Sequence, residues 1–98
     1  MNFHTFGDKS KPAMLLIHGI LCPWQIWEDA AAHYQDRYYV IVPELDGHTQ
    51  DAPTEFLSIA EEAARIAEWL HSEGIDELDV LCGLSMGGGI AARLWKIN

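Results

Sequence analysis

Three short apolar runs, separated by segments with helical periodicity, constrain this 98-residue chain more than any other feature. The runs are AMLLIH at residues 13–18, YYVIV at 38–42 and LDVLC at 78–82, and turn-forming residues follow each of them. Because their apolar residues are nearly continuous rather than alternating, the runs are typical of parallel strands covered on both faces. The order strand, helix, strand, helix, strand, helix therefore predicts an α/β fold, a three-layer α/β/α domain with a short, mostly parallel sheet, flavodoxin-like in extent.

The second helical segment has the clearest pattern. Ser58 and Glu61 have the S-x-x-E spacing of a capping box, and Gly74 stands where a helix ending near residue 72 would have its C-terminal glycine. The apolar stripe predicted to face the core comprises Ile59, Ala63, Ile66, Ala67 and Leu70. The side predicted to face solvent comprises Glu61, Glu62, Arg65 and Glu68. Trp69 also falls on this polar side, where the amphipathic pattern does not explain it.

The remaining elements are predicted from shorter signals. Pro23 can open a helix between the first two runs, and a last helix begins near Met86. The segment NFHTF at residues 2–6 predicts a further short strand at a sheet edge. At this length, we expect residues 1–98 to form a single domain.

The composition argues against several classes of partner and site. Fifteen acidic and six basic residues give a formal net charge of −9 at pH 7, which disfavours nucleic acid and anionic membranes as partners. No apolar run reaches the length needed to span a bilayer, so we expect a soluble, cytoplasmic protein. Cys22 and Cys82 lack the spacing of a zinc site or a disulfide framework, and we expect no metal.

Gly83, Leu84, Ser85, Met86 and Gly87 spell GxSxG between a predicted strand and a predicted helix. This context is typical of a nucleophile elbow, a turn so tight that the serine is strained and its neighbours two positions away have almost no side chain. Such a turn exposes the serine Oγ at the carboxyl end of the strand and directs the N–H of Met86 at an oxyanion formed there. The alternatives are a phosphate-binding turn and glycines that simply allow close packing.

Three segments together resemble the α/β-hydrolase superfamily of serine hydrolases: LLIHG at residues 15–19, VIVPELDGH at 40–48 and GLSMGG at 83–88. They follow in the family's order at about its spacing, and the resemblance covers about residues 14–94. It implies a sheet in which the first run lies between the other two. It also implies hydrolysis of a small-molecule carboxylic ester or thioester, with no metal and no organic cofactor.

The resemblance assigns roles to residues at the ends of these runs. Ser85 is the implied nucleophile, and the N–H of Met86 is the implied first oxyanion donor. The second donor is implied in the turn after the first run, as the N–H of Ile20 or, alternatively, that of Leu21. The residues implied to shape the two turns are His18, Gly19, Gly83 and Gly87.

The chain departs from the family after the elbow. The family's triad follows the order Ser, Asp or Glu, His, yet residues 86–98 contain no Asp, Glu or His. A serine hydroxyl without a base is a weak nucleophile at neutral pH. His48, two residues after Asp46, is a candidate base, although a local turn explains the same residues. We therefore expect the amino-terminal, nucleophile-bearing portion of a hydrolase, truncated before the family's later strands and inactive alone.

Two alternatives to a truncated hydrolase stay open. One is a non-catalytic, flavodoxin-like binding or self-assembling module that keeps the elbow as scaffold. The other is a partner chain that supplies the acid and the histidine. In each case the run at residues 78–82 ends the predicted sheet as an apolar edge, whose unpaired N–H and C=O groups invite another chain. The sequence thus predicts self-association through residues Leu78 to Cys82.

Overall fold

The computed structural model describes residues 1–19, 21–50, 54–56 and 58–97. Within these residues, helices cover both faces of a four-stranded sheet. The strands are β1 (Asn2–Phe6), β2 (Ala13–Ile17), β3 (Tyr39–Glu44) and β4 (Val80–Gly83). The helices are a 3-10 turn (Trp24–Trp27) that leads into α1 (Glu28–Tyr34), followed later in the chain by α2 (Ile59–Ser72) and α3 (Met86–Ile97).

The order of the strands across the sheet is β1, β3, β2, β4. Strand β2 is parallel to both of its neighbours, with Leu15 aligned with Ile41 on one side and with Leu81 on the other. Strand β1 runs antiparallel to β3 at one edge. The predicted mostly parallel sheet, with the first run between the other two and an additional edge strand, is therefore confirmed.

Residues of β2 and β3 alternate between two apolar layers, and every residue of both strands is buried. Leu15, Ile17 and Ile41 pack with side chains of α2 and α3. Met14 and Val40, on the other face, pack against α1 and the 3-10 turn. Because both faces are covered, neither strand needs polar residues at alternate positions, which explains the continuous apolar runs. The predicted three-layer architecture is confirmed.

Helix α2 begins and ends as its sequence predicts. The Ser58 Oγ accepts a hydrogen bond of 3.1 Å from the Glu61 N–H, and Gly74 follows the helix with a φ of +73°. Two predictions for this helix are wrong: Glu62 is fully buried instead of facing solvent, and Ile59, expected in the core-facing stripe, is 39% exposed in the first turn. Trp69, unexplained by the pattern, stacks on Phe3 of β1 with ring centroids 4.1 Å apart. Glu62 and Trp69 lie beside elements that are distant in sequence, which the periodicity of one helix does not reveal.

The parallel strands bring three separate loops to one edge of the sheet. The carboxyl ends of β2, β3 and β4 lead into His18-Gly19, the segment Leu45 to His48, and Ser85 respectively. Ligands of open α/β sheets bind at this edge, and the candidate residues lie there. In the part of the chain that the structure describes, none of the helices has the length and apolar character needed to cross a membrane.

Candidate active site

Ser85 occupies a tight turn between β4 and α3. Its φ is +56°, in the left-handed region that residues other than glycine rarely adopt, and its side chain is exposed. The turn is closed by hydrogen bonds of 2.9 Å from the Gly87 N–H to the Leu84 carbonyl and from the Gly88 N–H to the Ser85 carbonyl. Met86 is the first residue of α3, and N–H groups of a first helical turn have no acceptor within the helix.

Gly83 and Gly87 are required by the close approach of three backbone segments. A Cβ on Gly83 would lie 2.1 Å from the Gly87 carbonyl oxygen. A Cβ on Gly87 would lie 2.5 Å from the Ile17 carbonyl oxygen and 2.6 Å from that of His18. Atoms do not approach this closely, and backbone has little freedom to move away. The two glycines therefore let α3 start directly against the end of β2.

A second turn, which begins at Gly19 and ends at Cys22, follows β2 and lies against Ser85. It is closed by the Cys22 N–H, which donates to the Gly19 carbonyl at 3.2 Å. A Cβ on Gly19 would lie 3.0 Å from the Leu84 carbonyl oxygen and 3.3 Å from the Ser85 Cβ. Leu21 has a φ of +60° and a side chain that is 90% exposed. Ile20, the predicted oxyanion donor in this turn, lies outside the described residues.

His18 is fully buried and connects the ends of β2 and β3. Its Nδ1 lies 2.9 Å from the Gly19 carbonyl oxygen, and its Nε2 accepts a 3.1 Å hydrogen bond from the Leu45 N–H. A carbonyl needs a donor and an N–H needs an acceptor, so the ring is neutral with its proton on Nδ1. Burial lowers the pKa of His18, which favours the same neutral state.

His48, the candidate base, also accepts a hydrogen bond from a backbone N–H, but it connects the loop after β3 to the turn after β2. Its Nε2 accepts a 2.9 Å hydrogen bond from the Leu21 N–H, and its Nδ1 lies 3.2 Å from the Asp46 carbonyl oxygen. Both ring nitrogens therefore have partners. Among the described residues, no hydrogen bond joins His48 to Ser85, and the Leu21 N–H that was the alternative oxyanion donor is directed at His48.

A buried carboxyl pair beside these loops was missed by the sequence patterns. The Glu62 carboxyl accepts a 2.8 Å hydrogen bond from the Asp46 N–H, and the two carboxyl groups are hydrogen-bonded to each other. Burial, and next the bond to Asp46, raises the pKa of Glu62 to about 7. Burial opposes ionisation of Asp46 too, but hydrogen bonds from Glu62, the Met1 amino group and Arg65 lower its pKa to about 2. Helical periodicity places Glu62 toward solvent, and no spacing in the sequence connects it with Asp46.

A groove of about 580 Å³ lies away from Ser85, beside the β4 edge. Its lining comes from α2, the loop after it, β4 and α3. The apolar lining residues are Ala67, Leu70, Ile75, Leu78, Leu81 and Ala91, and the polar ones are His71, Asp76 and Asp79. Among the described residues, no cluster of three or more His, Cys, Asp and Glu residues has an arrangement suited to holding a metal ion.

A family model and a curated protein both match most of this chain. The model of a family described as the alpha/beta hydrolase family matches residues 14–97. Among curated proteins, 3-oxoadipate enol-lactonase 2 of Acinetobacter baylyi is 28% identical over 89 residues, a match that covers 90% of this chain and 33% of that protein.

Solved structures give the same result. A protein from Desulfitobacterium hafniense, described as a member of the alpha/beta hydrolase family, matches with a TM-score of 0.90 at 31% identity and covers 95% of this chain and 38% of its own. A thermophilic esterase from Thermogutta terrifontis matches with a TM-score of 0.83 at 25% identity, over 97% of this chain and 35% of its own. The chain thus spans about a third of the length of these proteins.

The close approach at Gly87 predicts a large difference between two neighbouring glycines of α3. Gly87→Ala should lower the free energy of unfolding by about 3 kcal/mol, because the new Cβ meets two backbone carbonyls. Gly88→Ala is the matched control, since its Cβ would lie 3.5 Å from the nearest atom and alanine favours the helix by about 1 kcal/mol. Urea unfolding of the two variants measures the difference, and equal midpoints would show that α3 does not pack on β2 in this way.

The raised pKa of Glu62 predicts how stability depends on pH. The folded protein keeps the Glu62 proton up to about pH 7, whereas the ordinary value is 4.5, so stability falls as the pH rises through this window. Glutamine imitates the neutral carboxyl at every pH. Glu62→Gln should therefore match the parent near about pH 5 and exceed its free energy of unfolding by on the order of 2 kcal/mol near about pH 8.

Glu68→Gln provides the control for this experiment, because Glu68 is an exposed glutamate on the same helix. Urea unfolding at both pH values measures the effect. The interpretation is wrong if Glu62→Gln shifts stability equally at the two pH values, or if Glu68→Gln gives the same pH-dependent gain.

Proposed function

This chain belongs to the alpha/beta hydrolase family, and from that premise we propose that it attacks ester-like carbonyl groups of small molecules with the Oγ of Ser85. The observation that carries the proposal is the backbone of Ser85, which combines a φ of +56° with an exposed side chain at the carboxyl end of β4. Strained non-glycine residues of this kind cluster at functional sites. Two glycines with no room for a Cβ support the turn on either side.

In the proposed reaction, the Ser85 Oγ attacks the carbonyl carbon and the carbonyl oxygen becomes an oxyanion. The Met86 N–H, at the start of α3, is the first donor to that oxyanion. The second donor is assigned to the N–H of Ile20 by family resemblance, since the Leu21 N–H is already bound to His48. Collapse of the intermediate breaks the bond to the alcohol or thiol, which leaves with the proton that the base took from Ser85, and an acyl group stays on Ser85. Water then attacks this acyl group, releases the carboxylic acid and restores the Ser85 hydroxyl.

The proton of Ser85 needs an acceptor from elsewhere. His18 and His48 each use both ring nitrogens in contacts with the backbone, and residues 86–98 contain no Asp, Glu or His. We therefore propose that the base and its supporting acid lie outside residues 1–98, in a longer chain or in a partner chain. Residues 1–98 alone should then turn over ester substrates very slowly.

A chimera tests the assignment of Ser85. Residues 1–98 replace the matching segment of the Thermogutta terrifontis esterase, and hydrolysis of p-nitrophenyl butyrate is measured. Ser85→Ala should lower kcat by at least about a thousandfold, because no other group forms the acyl intermediate. Ser72→Ala is the matched control, since the exposed Ser72 hydroxyl bonds only to the Trp69 carbonyl in the described structure.

A fluorophosphonate probe gives an independent measurement on the same proteins. Mass spectrometry should find the probe on Ser85 in the chimera and far less of it in residues 1–98 alone. The assignment of Ser85 is wrong if the Ser85→Ala chimera keeps its activity. The proposal that residues 1–98 lack the base is wrong if the isolated chain is labelled as fast as the chimera.

We also propose that isolated chains associate through β4. This strand is the last of the described sheet, Cys82 on it is exposed, and a groove with both apolar and polar lining lies beside it. An unpaired strand edge favours strand addition by a second copy, whose own β4 offers the same surface.

A charge at the β4 edge should prevent this association. We expect sedimentation velocity to show dimers or larger species of the parent chain in reductant, and Cys82→Lys to shift them toward monomer. Cys82→Ser, which is uncharged and cannot form a disulfide, is the control and should associate as the parent does. A parent chain that stays monomeric at millimolar concentration contradicts the proposal.

A further inference from the structure

Two histidines connect the loops after β2 and β3 in a reciprocal way. His18, in the first loop, accepts a hydrogen bond from the Leu45 N–H at the end of β3. His48, in the second loop, accepts one from the Leu21 N–H in the turn after β2. The two rings meet edge to face with their centroids 5.2 Å apart. The loops are thus held together by imidazole nitrogens that act as backbone acceptors.

The two hydrogen bonds lie in surroundings that differ in how much side-chain packing holds them in place. His18 is fully buried in the sheet layer, so packing holds it in place. Leu21, in contrast, has a left-handed backbone and a side chain that is 90% exposed. Side-chain packing therefore contributes little to its conformation, and the bond to the His48 Nε2 is the described contact that holds its N–H.

The turn that His48 holds is the one that lies against Ser85. Gly19 begins this turn, and a Cβ placed on it would be 3.3 Å from the Ser85 Cβ. A shift of this turn changes the space directly beside the hydroxyl of Ser85. Displacements of about 1 Å at such a position can slow a reaction by about a hundredfold.

We infer that His48 is a positioning residue, whose neutral Nε2 holds the Leu21 N–H and thereby fixes the turn after β2 beside Ser85. The inference rests on the proposed function for its effect on Ser85, but the hydrogen bond itself does not. Glutamine can place an amide oxygen near the position of Nε2, whereas phenylalanine keeps a ring without an acceptor. His48→Gln and His48→Phe therefore separate acceptor chemistry from ring packing.

Amide hydrogen exchange, followed by NMR on the 98-residue chain, tests the hydrogen bond. The Leu21 amide of the parent should exchange at least about tenfold more slowly than its sequence-dependent intrinsic rate. His48→Phe should return it to the intrinsic rate, and His48→Gln should restore protection. His33→Phe is the control on an exposed histidine, and the Ile41 amide reports whether each variant stays folded. Intrinsic exchange of Leu21 in the parent overturns the inference, even if His48→Phe fails to fold.

Covalent labelling of Ser85 tests whether the turn held by His48 affects the reactivity of this serine. In the esterase chimera, which supplies the base, a fluorophosphonate should label Ser85 of His48→Phe at least about tenfold more slowly than Ser85 of the parent or of His48→Gln. Equal labelling of His48→Phe, with its Leu21 amide released, overturns the positioning role. A protected Leu21 amide combined with no labelling of Ser85 in the parent chimera contradicts the proposed function and, with it, the effect of His48 on that serine.

Discussion

The contact between α3 and the carboxyl end of β2 determines the rest of this edge of the molecule. It is a contact between backbones, because Gly87 brings the first turn of the helix against the carbonyls of Ile17 and His18 without an intervening side chain. Gly83, at the end of β4, has no side chain that would collide with the backbone of the same turn. The chain has to reverse from strand to helix within this space, and the reversal occurs at Ser85. The left-handed backbone of that residue is a consequence of how closely the helix packs.

The loops beside this turn are organised by neutral imidazoles rather than by charges. His18 and His48 each present an unprotonated nitrogen to a backbone N–H of the neighbouring loop. This use of histidine satisfies peptide groups that the ends of parallel strands leave without sheet partners. The two hydrogen bonds give both histidines a structural role and assign proton transfer to neither. Charge is concentrated nearby instead, where Asp46, Glu62 and Arg65 share one network between β3 and α2.

The sequence allowed prediction of the features that depend on local chemistry. The three parallel strands follow from continuous apolar runs, the start of α2 from Ser58, and its end from Gly74. The position of β2 within the sheet came from family resemblance. Burial of Glu62, stacking of Trp69 on Phe3 and the bond between His48 and Leu21 could not be predicted in the same way. Each joins elements far apart in the chain, and helical or strand periodicity describes one element at a time.

The strand order also bears on how the chain acquires its structure. No two neighbouring strands of the described sheet are joined by a hairpin: β2 and β3 are parallel, and β1 and β4 pair with strands that are not next to them in sequence. Every pairing therefore requires a sizeable loop to close before it contributes, which slows folding relative to a chain with local contacts. During synthesis, β1 leaves the ribosome before β3 and has no strand partner until β3 has followed it. Strand β1 is thus made well before it can take its place in the sheet.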